Sequence, residues 1–411
     1  RDLDQAFHLE RHGSGHRLHY AIADVGGWLP PGGAVDAESH ARGTTIYCPD
    51  ERVPLHPVEL SEGAASLLPD GDRPAVLWTI DLDQRGEVAA VHLERALVRN
   101  RRALDYAGAQ AHLDGGGTDD QLRLLAEIGE ARLARERDRG GVSLTLPEQV
   151  VERQGDHYEL RFDTTLDVER WNAQLSLTTG LAAASLMLEH GIGVLRTLPP
   201  ATPETLASLR SASIALGVAW PEGTSYPDWV RTLDPTEPRG AAMMVAASRT
   251  LRGAGYVALD GATHPPAGGV PIHSAIAAPY AHVTAPLRRL VDRFGTECVL
   301  AGSAGRRPPP WVLETLDVLP EEMERATARA GSVDRACVDL VEAAVLAHRV
   351  GQLLPAAVTA IRSNGEAVVQ LTEPAVIAVA SAPAGTRAGD AVQVRVVQAD
   401  PTTRSLQLEV A

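Results

Sequence analysis

Lysine is absent: all 38 positions counted as lysine or arginine are arginine. Arginine is the better bidentate ligand for phosphate, but so uniform a loss reflects compositional bias more than function. Cysteine is scarce. The three present, Cys48, Cys298 and Cys337, are far apart and odd in number, which excludes a disulfide framework or a zinc-finger spacing and makes a reducing cytoplasm the expected location. No apolar run reaches membrane-spanning length, and the start has no basic segment leading into an apolar one, so neither a transmembrane helix nor a secretion signal is expected. A net charge of −15 argues against a surface coated for nucleic acid, while leaving room for an acidic shell around an arginine-lined channel.

What is present is ordinary for a folded chain: 44% hydrophobic and 22% charged residues over 411 positions, enough for two or three domains. The chain begins at Arg1, inside what reads as a motif, so further sequence upstream is expected. Residues 1–30 alternate as strands around "HGSGH", predicting a hairpin. A second β-rich stretch, "RPAVLWTIDLDQRGEVAAVHLERALVRNR", turns at "DQRG". Helical spacing then predicts a helix over 119–138 with Asp119 as its cap, and a long buried helix over 167–191 ended by Gly191. Shorter helices are expected at 203–217 and 238–253, and a further one from Pro320 to about residue 350. From Leu354 short strands separated by Gly, Asn, Pro and Asp turns have the cadence of a five-stranded OB-type barrel.

Two features carry chemistry. Asp2 and Asp4 in "RDLDQAFHLE" are two residues apart, so an extended segment projects both carboxylates from one face. Such a pair repels unless a divalent cation lies between them; the bland alternative is a solvated acidic strand start. In "YAHVTAPLRRLVD" (280–292), Arg288 and Arg289 come side by side, and the bland reading is a helix-end ion pair with Asp292.

The ordered series "DLDQAFHLER…RLHYAIADVGGWLPPGGAVDAESHARGTTIYCPDERVPLHPVEL", "RALVRNRRALDY" and "HSAIAAPYAHVTAPLRRLVD" resembles the catalytic domain of the ribonuclease II (RNB) family, and the end of the chain is similar to that family's OB-type RNA-binding domain. The resemblance implies an α/β (α+β) catalytic domain over 1–350, with mixed sheets and long helices, and an all-β barrel over 354–411. It implies a processive, Mg²⁺-dependent (or Mn²⁺-dependent) 3′-to-5′ exoribonuclease that hydrolyses single-stranded RNA to nucleoside 5′-monophosphates. The alternative is a catalytically weakened RNA-binding protein. The expected partner is RNA, with no membrane and a monomeric chain.

Residue by residue, the resemblance implies that Asp2 and Asp4 are catalytic metal ligands, with Gln5 at the next position of the cluster, where an aspartate is usual. Gln5 can meet a metal-bound water through its amide but brings no charge. The cluster's first aspartate would precede Arg1. Arg288 matches the catalytic arginine that stabilises charge on the phosphoryl oxygens, and Arg289 is either a second phosphate ligand or a partner of Asp292. Tyr47 and Tyr106 match aromatics that stack on bases. A glutamate that helps seat the terminal nucleotide appears as Ala173, and a late acidic position as Asp334. His282 is expected to be a packed core histidine. On the barrel, Arg362, Arg387, Arg395 and Arg404 could grip phosphates or simply be solvated.

Overall fold

Apolar alternation builds the first half of the core. β1 (Gln5–His12) and β2 (Gly15–Ala23) pair antiparallel across Gly13, whose φ of +57° suits a residue without Cβ. Leu18, Tyr20 and Ile22 on β2 are wholly buried, the period of two of a strand with a core face. A short hairpin of β3 (Ile46–Tyr47) and β4 (Arg52–Val53) stands apart. β5 (Asp72–Leu82), whose Val76, Trp78 and Ile80 are also fully buried, and β6 (Val88–Arg99) complete an antiparallel sheet of order β1-β2-β5-β6. This computed structural model describes residues 1–411 except 70, 143, 145–147, 155–156, 164, 235–236, 262–268 and 372.

Helices cover this sheet. The Asp120–Arg139 helix is capped by Asp119, whose carboxylate accepts from the N–H groups of Gln121 and Leu122. Its Gln121 side chain then closes the edge strand, accepting from Leu9 N at 2.8 Å and donating to Leu9 O at 2.9 Å. A backbone pair otherwise open at an edge is thereby satisfied.

The Asp167–His190 helix, ended by left-handed Gly191, buries Leu175, Ala182, Ala183, Ala184 and Met187. Its small residues let the segment around Tyr280 lie almost on its backbone. Ala281 N donates to Gly180 O at 3.2 Å, and a Cβ built on Gly180 would lie 2.1 Å from the Tyr280 ring.

The Leu290–Ser303 helix is buried along most of its length, and Phe294 and Val291 pack with Leu319 and Met323 of the Leu319–Ala347 helix. That last helix delivers Leu346 into the core of a closed barrel. The barrel strands are Leu353–Ile361, Ala367–Leu371, Ile377–Ser381, Ala391–Asp400 and Ser405–Val410. Val358, Val369, Val376, Val394 and Val396 fill its interior.

Two elements differ from the sequence reading. The expected 238–253 helix ends at Ala247 and continues as a 3-10 turn, Ser248–Leu251. The antiparallel pair Ile192–Thr197 with Gly255–Asp260 joins strands far apart in sequence, for which no hairpin turn signals the pairing. Among the described residues no helix is long and apolar enough to cross a membrane.

The close approach at Gly180 gives a test. Gly180→Ala should lower stability by about 1–3 kcal/mol, the scale of overpacking a tight contact, read as a lower urea midpoint at unchanged slope. A midpoint equal to wild type would mean that Tyr280 moves aside at no cost.

Candidate active site

Everything about the site follows from how residues 280–290 are held. Ser176 and Thr284 share a hydroxyl hydrogen bond of 2.8 Å. His56 Nε2 lies 3.1 Å from Pro286 O, Ala285 N donates to Asp292 Oδ1 at 2.7 Å, and Thr45 N donates to Arg288 O at 3.0 Å. Anchored nearly residue by residue, the turn sends its two arginines opposite ways.

Arg289 faces inward. Its Nε and Nη2 donate to the two oxygens of Asp292 at 2.9 and 2.8 Å, and Asp292 is completely buried. Of the two roles expected of Arg289, this geometry supplies the partnership with Asp292, which occupies the Nε and Nη2 edge of the guanidinium. Arg288 faces outward with its side chain 47% exposed, its Nε 3.4 Å from Asp4 Oδ2.

Asp4 sits at the start of β1, 6% exposed. Its Oδ1 accepts from Leu287 N at 2.7 Å. Burial pushes its carboxyl up to about 7, against the opposing pull of the Arg288 charge and the Leu287 N–H. The positive charge around this carboxylate is therefore too little to hold it ionised in the usual range.

Asp2 lies nearby on the same cleft, but it is engaged. Its Oδ2 accepts from the Tyr47 hydroxyl at 3.1 Å and its Oδ1 from Arg52 at 2.9 Å. Arg52 also pairs with Glu62. Burial first, and then the Asp2 carboxylate, raise the Tyr47 hydroxyl to about 12.

Gln5, expected to meet a metal-bound water, is engaged with the protein itself. Its Oε1 accepts from the buried Tyr20 hydroxyl at 2.5 Å and its Nε2 donates to Thr284 O at 2.6 Å. Both ends of the amide serve the fold, clasping β1 to β2 and to the arginine turn.

A cleft of about 840 Å³ runs from these residues along β1 and β2 to the Asp105-capped helix Tyr106–Asp114. Asp2, Asp4, Tyr47 and Arg288 line one end, and Tyr106, Asn172, Arg101 and Arg102 line the other. Tyr47 and Tyr106 are 50% and 46% exposed, an arrangement that leaves ring faces for a ligand and sets aside core packing for both. Asn172 Nδ2 donates to the Tyr106 hydroxyl at 3.0 Å.

Ala173, expected at the terminal-nucleotide position, does not line the cleft; its neighbour Asn172 does. Asp334 also lies elsewhere, exposed on the Leu319–Ala347 helix beside Cys337. His282 is partly buried, with Nδ1 2.8 Å from the Tyr256 hydroxyl, and desolvation first, then nearby arginines, hold it well below the usual imidazole range. Its ring packs edge-on against Tyr256 and Tyr280.

The donors can be tested for a divalent cation. Asp4 is a suitable donor, because its buried carboxylate is only partly compensated by Arg288. Asp2 is a second oxygen donor on the same cleft, held by Tyr47 and Arg52, and Gln5 is likewise held, by Tyr20 and Thr284. Among the described residues no three His, Cys, Asp or Glu side chains converge on one point. Asp4 and Asp2 both line the cleft and supply oxygen donors of the kind a divalent cation takes.

A four-stranded sheet covered by helices, with Asp2, Asp4 and Arg288 on one cleft, is followed by a small closed barrel. The RNB domain matches residues 1–294, and the RNase II-type exonuclease C-terminal S1 domain matches residues 352–411; the chain belongs to the RNB family. An exosome complex exonuclease of Arabidopsis thaliana is 27% identical over 383 residues, 89% of this chain and 40% of that protein. Ribonuclease R of Vibrio cholerae is 26% identical over 404 residues, 91% of this chain and 48% of that protein. The chain thus spans less than half the length of these curated relatives.

Among solved structures, Mycoplasma genitalium RNase R in complex with ribose methylated single-stranded RNA superposes with a TM-score of 0.88 at 18% identity, covering 100% of this chain and 69% of that one. Yeast Ssd1, a pseudonuclease, superposes with a TM-score of 0.74 at 17% identity, covering 98% of this chain and 50% of that one. The fold therefore accommodates proteins with and without turnover.

The raised carboxyl of Asp4 fixes a pH dependence. Between the unfolded value near 3.8 and the folded value near 7, the folded chain binds more protons than the unfolded one. Stability therefore falls as pH rises through this window and levels off above it. In chelator, Asp4→Asn should unfold at a higher denaturant midpoint than wild type at pH 8, and the advantage should vanish near pH 4. An Asp4→Asn chain less stable at pH 8 would show that the Arg288 pairing outweighs the burial of charge.

Proposed function

We propose that this chain is a 3′-to-5′ exoribonuclease that hydrolyses single-stranded RNA processively to nucleoside 5′-monophosphates with Mg²⁺, or Mn²⁺ in its place. The observation that carries this reading is the juxtaposition of the buried, under-compensated Asp4 carboxylate with the outward-facing Arg288 guanidinium at the end of a cleft flanked by exposed tyrosines.

In this reading Asp4 and Asp2 hold the divalent ion, which supplies Lewis-acid polarisation and an activated water. Arg288 directs its free N–H groups at the phosphoryl oxygens, where charge grows as the phosphodiester is attacked. Tyr47 and Tyr106 stack on bases without regard to sequence, each contributing roughly 1–3 kcal/mol. Asn172 orients the Tyr106 ring through its hydroxyl. Arg289 positions Arg288 by fixing the turn on Asp292.

The second reading is an RNA-binding protein with weak or absent turnover. It is favoured by Gln5, which replaces a charged residue of the family cluster with an amide committed to Tyr20 and Thr284. Incubation of the full chain with 5′-labelled, 3′-tailed RNA and Mg²⁺ separates the two. Conversion of full-length RNA to a short labelled end product without intermediate lengths, together with release of nucleoside 5′-monophosphates, supports the processive nuclease; tight binding of RNA that stays intact in both Mg²⁺ and Mn²⁺ overturns it.

Two variants test the roles of the residues. Asp4→Asn should abolish hydrolysis with RNA affinity largely kept, and Arg288→Ala should slow single-turnover cleavage roughly 10²–10³-fold with a smaller loss of affinity. Arg288→Lys should rescue only in part, because an ammonium cannot fork to two oxygens. Cleavage at the wild-type rate by bound RNA in Arg288→Ala would make Arg288 a binding residue.

Tyr47 should govern where degradation stops. Tyr47→Ala removes one stacking face, so a shortening RNA is released several nucleotides earlier while the rate on long RNA stays close to normal. Tyr47→Phe keeps the ring and should leave the wild-type end product. The same end product from a well-folded Tyr47→Ala chain would mean that no base stacks there.

A further inference from the structure

A row of polar side chains crosses the outer face of the four-stranded sheet. Register places His8 of β1 opposite His19 of β2, His19 opposite Thr79 of β5, and Thr79 opposite His92 of β6. Their chain neighbours Leu9, Leu18, Tyr20 and Trp78 belong to the core on the other side, the alternation of strands with one face covered. One row nearer Asp4 the residues are small, Ala6 opposite Ala21. Ala6, Ala21, His8 and His19 all line the cleft that Tyr47 and Tyr106 flank, so its floor dips at the alanines and rises at the two histidines.

The two histidines are held differently. His19 is clamped, with Nε2 3.2 Å from Glu10 Oε1 and Nδ1 3.4 Å from Thr79 Oγ1. His8 is exposed, and no hydrogen bond from a described residue engages its ring. The rings stack, with centroids 6.0 Å apart and planes 27° from parallel. His19 therefore backs one face of His8. The other face turns towards the rim of the sheet, because β1 is an edge strand. Gln121, which closes that edge at Leu9, lines the cleft there.

We propose that His8, backed by His19, is a base-stacking platform on the cleft floor, seating a nucleobase of single-stranded RNA between those at Tyr47 and Tyr106. The inference rests on the RNA-processing reading above and adds a contact to it. An imidazole offers a π face that any base can cover, so the contact is indifferent to sequence. The Glu10–His19–Thr79 clamp fixes the ring behind His8 before RNA arrives, which lowers the ordering cost of binding.

Other uses of the pair fit less well. A phosphate seated on His8 would meet the Glu10 carboxylate, two residues along the same strand face, whereas a base brings no charge. His8 is four residues from Asp4, roughly 13 Å along a strand, which is too far for proton transfer at a phosphate held by Asp4 and Arg288. Two imidazoles and a carboxylate are also metal donors, but among the described residues no three such side chains converge.

The test is equilibrium binding of labelled single-stranded RNA by the full chain in chelator, where turnover does not intrude. His8→Ala should weaken binding about 5–10-fold, the low end for a stacked base because the imidazole ring is small. His8→Phe keeps a ring and suits a strand, and should bind at least as well as wild type. With RNAs made abasic at one nucleotide at a time, wild type should lose affinity at a position that His8→Ala no longer senses. Glu10→Ala, which unclamps His19, should weaken binding by a smaller factor and add nothing to His8→Ala. Equal affinity in His8→Ala and wild type, a loss in His8→Phe as large as in His8→Ala, or no abasic position silenced by His8→Ala would each overturn the platform. Wild type that binds RNA in this way yet leaves it intact in Mg²⁺ and Mn²⁺ would overturn the nuclease reading and uphold the platform; wild type that binds no RNA would overturn both.

Discussion

The carboxylate of Asp4 joins two parts of the chain separated by 283 positions. It accepts the Leu287 N–H and faces the Arg288 side chain, so the first strand and the arginine turn define each other's place. Burying an acid this deeply is unfavourable without full compensation, and here the compensation is partial, since the carboxyl is pushed up to about 7. A proton satisfies that deficit at low pH, and in the proposed reading a bound cation would satisfy it at neutral pH. The surrounding hydrogen bonds from Thr44, Thr45, His56 and Ser176 hold the turn still, so the deficit cannot be relieved by Asp4 simply swinging out to water.

Local pattern made much of the fold legible. The β1–β2 hairpin, the β5 and β6 strands, the Asp119 cap and the Gly191 stop follow from alternation, turn residues and helix-end chemistry. The pairing of Ile192–Thr197 with Gly255–Asp260 did not, because each strand is short and its partner distant. At the site, the family motifs pointed to Asp4 and Arg288. The adjacent positions were harder to read, because a single step along the chain decides direction. Ala173 and Asn172 are one residue apart on a helix, about 100° around its axis, and only Asn172 faces the cleft. Gln5 could not be read as a clasp, since its two partners, Tyr20 and Thr284, come from another strand and from the far turn.

The two arginines show why net charge is a poor guide to partners. An overall charge of −15 coexists with a cleft whose rim carries Arg99, Arg101, Arg102 and Arg288. Arg99 and Arg102 are paired with Asp72 and Asp119, which moderates their field without removing their donors. A phosphate chain responds to the potential inside the groove, where low-dielectric walls focus it, and much less to acidic residues on the opposite face.

Asp2 brings the two halves of the site into one constraint. Its oxygens are taken by Tyr47 and Arg52, both on the β3–β4 hairpin. An oxygen given to a cation is an oxygen withdrawn from one of those partners, and Tyr47 is also the aromatic face exposed at that end of the cleft. Releasing the Tyr47 hydroxyl leaves the ring freer to adjust to a base, while Arg52 retains Glu62 as a partner and stays with the hairpin. The hairpin is in turn anchored at Thr44 and Thr45 to the backbone of Arg288. In the proposed reading, ion, base and phosphate would all act on this one connected unit, so a change at any one of the three would be felt by the other two through hydrogen bonds already in place.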